Sequence, residues 1–320
     1  MKKILTVAFV VMLMVATFAG ASMAKTFVSL ATGGTGGTYY PVGGGIADIV
    51  SKYVPEVQMT SETGNASQAN LNLLGTHQIE MALAQNDVSM WAYRGMRPFK
   101  QQFGNVRMIA SLYPENVQCI TMKDSGVKDI MDIKGKRTSV GAPGSGVQAD
   151  VAAILRVAGI KYADMKTDFL DFNNTTQRFK DNQLDVGFVV AGYPTASIMD
   201  LATMHDIDLV NFSDEFMDKL IDAYPFFAKS VIPANTYKGV DHDTNTPAVM
   251  AVWVCDGDLP DELVYKVTKA FWEHVDELYK IHSKAKMITL DTALDGVSVP
   301  IHSGAAKYYK EIGMTVPEIK

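Results

Sequence analysis

Short strand-like runs alternate with helical stretches along the chain, and several strands end in a Gly-, Ser- or Asn-rich turn; this alternation most constrains the fold. Thr26 to Ala31, Val57 to Thr60, Met81 to Ala84 and Val106 to Leu112 read as strands, with helices near 41–53 and 66–75 between them. The pattern restarts with Val117 to Met122, Arg137 to Gly141, Lys166 to Phe169, Val186 to Val190 and Asp208 to Asn211, again with intervening helices. Two α/β lobes, each with a largely parallel sheet, are predicted. After Tyr224-Pro225-Phe226-Phe227, strand-like runs over Ala228 to Ile232 and Ala248 to Cys255 lead into a long helix over about 261–282 and a last one near 304–312. These return the chain to the first lobe, which is expected to comprise 25–114 with 256–320 around a second lobe of 115–255. Hinges are expected near 112–117 and near 255, with the ligand cleft between the lobes.

The first 24 residues have the form of a secretory signal: Lys2 and Lys3, an apolar stretch from Ile4 to Ala19, then small residues through Ser22 and Ala24. An apolar run of about 16 residues falls short of the roughly 20 that a spanning helix needs. Cleavage after Ala24 is expected, giving a periplasmic protein, and no Cys lies near that point to accept a lipid. Losing Lys2 and Lys3 takes the formal net charge from -6 to -8. With no Lys/Arg cluster to follow a phosphate backbone, nucleic acid is not an expected partner. The mature chain is expected as a monomer.

A device recurs at the strand ends: a Gly- or Asn-rich turn opens a helix whose first N–H groups are free to meet an anion. In Thr32-Gly33-Gly34-Thr35-Gly36-Gly37-Thr38-Tyr39-Tyr40-Pro41, the glycines allow close backbone approach and Pro41 suits the first helical position. Thr63-Gly64-Asn65-Ala66-Ser67-Gln68 offers Asn65 as cap with Gln68 completing a capping box. Gly141-Ala142-Pro143-Gly144-Ser145-Gly146-Val147-Gln148 repeats this with Ser145 and Gln148, and Val190-Ala191-Gly192-Tyr193-Pro194 places Pro194 at a helix start. Gln85-Asn86-Asp87 follows a strand directly, adding amide donors, with Asp87 either part of that edge or only a helix cap. The candidate ligand-binding residues are therefore Thr35, Gly36, Gly37, Thr38, Tyr39, Asn65, Gln85, Asn86, Ser145, Gly146, Gly192 and Tyr193. None of the six arginines falls in these loops, so a carboxylate ligand would be held by backbone N–H, hydroxyl and amide groups.

Catalytic and metal motifs are missing. The first loop lacks the Lys-Ser/Thr of a P-loop and the Gly-x-Gly-x-x-Gly spacing of a dinucleotide site. Ser145 lacks a Gly-x-Ser-x-Gly elbow. The six histidines show no close ligand spacing. Asp241, Asp243 and Asn245 start like a calcium loop but have Thr246 where its glycine belongs and Val252 where its Glu belongs. Neither catalysis, a cofactor nor a metal is expected. Cys119 and Cys255 are either separate buried thiols or, if the strands that carry them lie antiparallel with start facing end, a hinge disulfide.

These motifs together resemble the TAXI family of solute receptors for TRAP transporters. The resemblance spans the mature chain and rests on Ala31 to Pro41, on Ile133-Lys134-Gly135-Lys136-Arg137 followed by Gly141 to Gly146, and on Val190 to Thr195. It is also carried by Tyr224 to Phe227, Ile232 to Tyr237, Ile301 to Ala305 and Tyr308-Tyr309-Lys310. It implies a periplasmic receptor of the two-lobed type II binding-protein fold, working with membrane TRAP permease subunits driven by a sodium gradient. The implied ligand is a small acidic metabolite, a glutamate-like amino acid or a dicarboxylate such as 2-oxoglutarate. Gln85-Asn86-Asp87 stands where the family pattern has Gln-Ser-Asp, a change that bears on ligand choice. The alternatives are a receptor for an ATP-driven importer or a sensor kinase, and an enzyme acting on an acidic metabolite in the same cleft.

Overall fold

The computed structural model describes residues 25–96 and 98–319, so the expected signal segment lies outside the described residues. Three parallel strands, β1 (Thr26–Ala31), β2 (Val57–Glu62) and β3 (Met81–Gln85), alternate with helices α1 (Tyr39–Tyr53), α2 (Ser67–Gly75) and α3 (Asn86–Arg94). The two strand-like runs at 106–112 and 117–122 are halves of a single strand, β4 (Val106–Met122), which runs from one lobe into the other.

In the second lobe, β5 (Arg137–Ser139), β6 (Lys166–Asp168) and β7 (Val186–Ala191) alternate with α4 (Gly146–Ala158), α5 (Phe172–Lys180) and α6 (Ala196–Met204). Next come β8 (Ile207–Leu209), α7 (Asp214–Ala223), β9 (Ala228–Ile232) and the second long strand, β10 (Thr244–Asp256). The sheet order is β2-β1-β3-β10-β4-β7-β5-β6, with β8 on β4 and β9 on β10. β10 pairs with β9 over Thr244 to Ala248 and with β3 over Ala251 to Cys255, so its crossing lies near 248–251 rather than near 255.

Burial alternates as the pleat requires. On β3, Met81 and Leu83 join one core layer while Ala82 and Ala84 join the layer on the other face. On β7, Val186, Phe188 and Val190 face one layer, and Val189 and Ala191 the other. Both central strands are buried on both sides, as strands covered by helices must be. After β10, α8 (Asp261–Glu273) packs on α1 and on α9 (Ser303–Glu311). The expected long helix stops early: His274 leaves helical geometry at φ -131°, its ring stacked on Tyr53 at 3.4 Å, and short 3-10 turns continue to Thr292. No helix among the described residues is long and apolar enough to cross a membrane.

The conditional disulfide is not formed: Cys119 and Cys255 are free and buried. β10 and β4 are antiparallel, but Cys255 lies opposite Arg107, whereas Cys119 sits twelve positions further along the same strand, opposite Phe188 of β7. At about 3.3 Å per residue, that places the thiols in different lobes, far beyond bridging distance. Val117 lies in the middle of β4, which begins at Val106, so Cys119 is not at the strand start that faces Cys255.

Candidate functional site

A cavity of about 400 Å³ lies between the lobes, walled by Thr35, Gly36, Gly37, Thr38, Tyr39, Asn65 and Gln85 from the first lobe and by Ser145 and Gly146 from the second. Asn86, Gly192 and Tyr193 stand outside this wall. Asn86 is drawn back into its own lobe, its Oδ1 accepting from Met250 N at 3.2 Å and its Nδ2 donating to Gly296 O at 3.3 Å. The Gly192 carbonyl accepts from Thr38 Oγ1 at 2.6 Å, and the Tyr193 ring lies beneath Lys284 Nζ at 3.8 Å.

Four helices begin at the cavity wall: α1, α2, α4 and α5. At α4, Ser145 Oγ accepts from Gln148 N at 3.2 Å, while the Gln148 side chain reaches back to Gly144 N at 3.0 Å rather than to Ser145 N. Three other starts differ from expectation. Asn65 is not a cap; the cap position is Ala66, at φ 63° with no side-chain bond, and Ser67 Oγ instead accepts from Gln85 N at 3.0 Å. Pro194 does not open α6, which starts at Ala196 and whose Ser197 N donates to Gly36 O at 3.2 Å. Similarly, α1 starts at Tyr39, two residues before Pro41. The fourth start at the wall is that of α5, capped by Asp171 with Phe172 and Asn173 in the lining.

The lobes are closed on one another. Besides Thr38 to Gly192 and Ser197 to Gly36, Ala69 N donates to Gly144 O at 3.2 Å, Asn173 Nδ2 to Thr35 Oγ1 at 3.3 Å, and Gln85 Nε2 to Asp150 Oδ2 at 2.8 Å. Two glycines let side chains of the facing lobe come close. A Cβ on Gly146 would sit 1.6 Å from Gln85 Oε1, and one on Gly36 would sit 2.2 Å from Asn173 Oδ1.

The cavity wall contains no Lys, Arg or His, but it includes Glu115, which sequence reasoning missed. Glu115 sits on β4 at the crossing, where Tyr113-Pro114-Glu115-Asn116 was read only as a hinge. The signal was a polar pair set within an apolar strand. Its Oε2 accepts from Tyr39 OH at 2.8 Å. Burial pushes its carboxyl up to about 8, the Tyr39 bond pulls it down, nearby Asp87 raises it and Lys284 lowers it. Lys284, 3 % exposed, has its amine lowered to about 8 by burial against the pull of Glu115, and donates to Asn116 Oδ1 at 3.4 Å.

Behind Gln85, two further acids are sealed from solvent. Asp87 of α3 and Asp150 of α4 are 1 % and 0 % exposed and interact side chain to side chain. Asp150 was legible in principle, since it occupies an apolar face with Val147, Val151 and Ile154. Well away from the cavity, His77, Asp256 and Asp258 bring three ligand-type atoms within 4.8 Å of one another, a grouping that sequence spacing alone did not reveal.

Two α/β lobes joined by two long strands, with a cavity where helix starts from both lobes converge, define the two-lobed architecture of the solute-binding proteins. The chain belongs to the NMT1-like family, whose model matches residues 30–313. Among solved structures, it is similar to the ligand-binding component of an ABC-type import system from Staphylococcus aureus, at 12% identity, with 92% of this chain and 94% of that one covered and a TM-score of 0.52. It is also similar to a Listeria monocytogenes protein described as an L-cystine ABC transporter, at 15% identity, covering 84% of this chain and 98% of that one, with a TM-score of 0.51.

Proposed function

We propose that this chain is the solute-binding receptor of a membrane importer, exported to the periplasm, whose lobes close over a small carboxylate such as glutamate or 2-oxoglutarate. The observation that carries this reading is the convergence of the starts of α1, α2, α4 and α5 on one cavity whose wall has no basic side chain. First-turn N–H groups have no partner within their own helix and carry the positive end of the helix dipole, so they suit an anion. Of the two acids in the wall, Glu115, with its carboxyl raised to about 8, is largely neutral at pH 7, and Asp171 has both oxygens engaged by Asn174 as the α5 cap. The volume is that of a metabolite-sized site. Ser145 Oγ is engaged with Ala142 O at 2.7 Å and with Gln148 N, which leaves it a structural cap rather than a nucleophile.

The motif resemblance supports a TRAP permease of the TAXI type as partner. A second reading, an ATP-driven importer, is favoured by the ABC-type description of both structural neighbours. Uptake into vesicles containing the cognate permease separates them: a sodium gradient suffices for the first, and ATP is required for the second. The receptor reading itself is tested by a thermal-shift screen against amino acids, 2-oxo acids and dicarboxylates, since a ligand that binds only the folded state raises the melting temperature. A shift with glutamate, 2-oxoglutarate or a close relative is expected. Shifts with neutral or cationic compounds alone would contradict the anion-binding role of the helix starts.

A further inference from the structure

Among the described residues, unpartnered buried oxygens cluster at the Asp87–Asp150 pair. Both Asp87 oxygens, Asp150 Oδ1 and the neighbouring Gln85 Oε1 are buried without a hydrogen-bond partner. Asp87 belongs to α3 of the first lobe and Asp150 to α4 of the second, so closing the lobes presses them together. Two ionised carboxylates have only acceptors to offer each other, and burying both uncompensated is costly. A proton on one of them turns repulsion into an O–H···O hydrogen bond and supplies the missing donor. On α3 the backbone N–H groups of Val88 and Asp87 pull the Asp87 carboxyl down, but burial outweighs them; the side chains facing the pair do not supply the missing donor. Gln85 on β3 gives its amide N–H to Asp150 Oδ2; Glu115 on β4 is a further acid; Tyr39 on α1 is committed to Glu115; and Lys284 lies on the far side of Glu115.

We propose that the closed receptor binds a proton as a second ligand, shared by Asp87 and Asp150, so that ligand capture is coupled to external pH. This rests on the receptor reading above, because it requires the lobes to open and close. Burial raises Asp87 to about 7, and burial, then the neighbouring acids Asp87 and Glu115, raise Asp150 well above its ordinary value. In an open cleft each carboxyl returns toward the ordinary range near 4. A group whose closed-state pKa lies above its open-state value favours closure at low pH, and that preference is lost as pH rises through the closed-state value. Ligand affinity therefore falls as pH rises, by about tenfold per pH unit for each proton taken up, across roughly pH 5–7.

The test is calorimetric titration with L-glutamate and with 2-oxoglutarate at pH 6, 7 and 8, each in two buffers of different ionisation enthalpy. Proton uptake on binding and a dissociation constant that rises with pH are expected for the wild type. In Asp150→Asn, the amide can donate to Asp87 without a proton, so uptake falls and the pH dependence flattens while affinity at pH 8 equals or exceeds that of the wild type. Asp87→Asn serves the same purpose should Asp150→Asn fold poorly. Binding without proton uptake, or an unchanged slope in the variants, overturns the proposal and leaves the receptor reading standing. If neither probe binds, the receptor's carboxylate specificity fails instead. Small-angle scattering of the ligand-free protein over the same pH range then decides the latch: expansion with rising pH supports it, and constant dimensions overturn it.

Discussion

The two lobes finish their helix starts differently. In the second lobe, Ser145, Asp171 and Ser213 cap α4, α5 and α7 with side-chain bonds to N–H groups of the first turn. In the first lobe, α1, α2 and α3 follow Thr38, Ala66 and Gln85, none of which makes a side-chain cap. Their polar groups serve the cleft instead: Thr38 reaches Gly192, and Gln85 reaches Asp150. At the cleft edge the second lobe caps α4 and α5 with its own side chains but leaves α6 without one, its Ser197 N donating to Gly36 O of the first lobe, whereas the first lobe caps none of α1, α2 and α3. Uncapped helix starts cost stability unless something meets them, and the proposed anionic ligand would do so.

The largest expected effect comes from blocking closure on the side of the second lobe. Gly146→Val puts a side chain into the Gln85 amide, so ligand affinity should fall at least about a hundredfold while the melting temperature without ligand changes little, since the clash exists only in the closed state. Titration calorimetry and thermal melting on one preparation check both halves; equal loss of both would mean that the lobes do not separate. Next, Ser145→Ala removes a cap inside the second lobe and should cost about 1 kcal/mol of stability by denaturant unfolding, independent of ligand. Thr38→Val, by contrast, removes a bond made only across the cleft, so it should weaken binding about fivefold and leave ligand-free stability near that of the wild type. If Thr38→Val destabilised the free protein as much as Ser145→Ala does, the contrast between the lobes would collapse. The smallest effect concerns the thiols: a reducing agent should leave the melting temperature unchanged, because Cys119 and Cys255 are unlinked.

The same contrast explains what the sequence revealed. The strands were legible because apolar runs such as Val186 to Val190 carry their burial in composition. The α4 loop was legible because a Ser-x-x-Gln spacing satisfies helix N–H groups locally. Asn65 misled for the opposite reason: its helix start depends on Ala66 adopting a positive φ and on Ser67 bonding Gln85, a partner eighteen residues away. The apolar helix face marks Asp150 as buried, but that it meets Asp87 and Glu115 depends on three elements meeting in space, which no local pattern encodes. Cys119 and Cys255 were misplaced by a single boundary, the reading of β4 as two strands.

The central claim is that free N–H groups at helix starts on both lobes hold the ligand. Amide NMR of the labelled mature protein, titrated with L-glutamate or 2-oxoglutarate, observes those groups individually. The account predicts that the largest shifts fall on the amides of Gly36, Gly146 and Val147, in both lobes together, whereas Gly37 N already donates to Gly34 O at 3.0 Å. Saturating binding that left these three amides unmoved, with shifts confined to one lobe or to the outer surface, would contradict it.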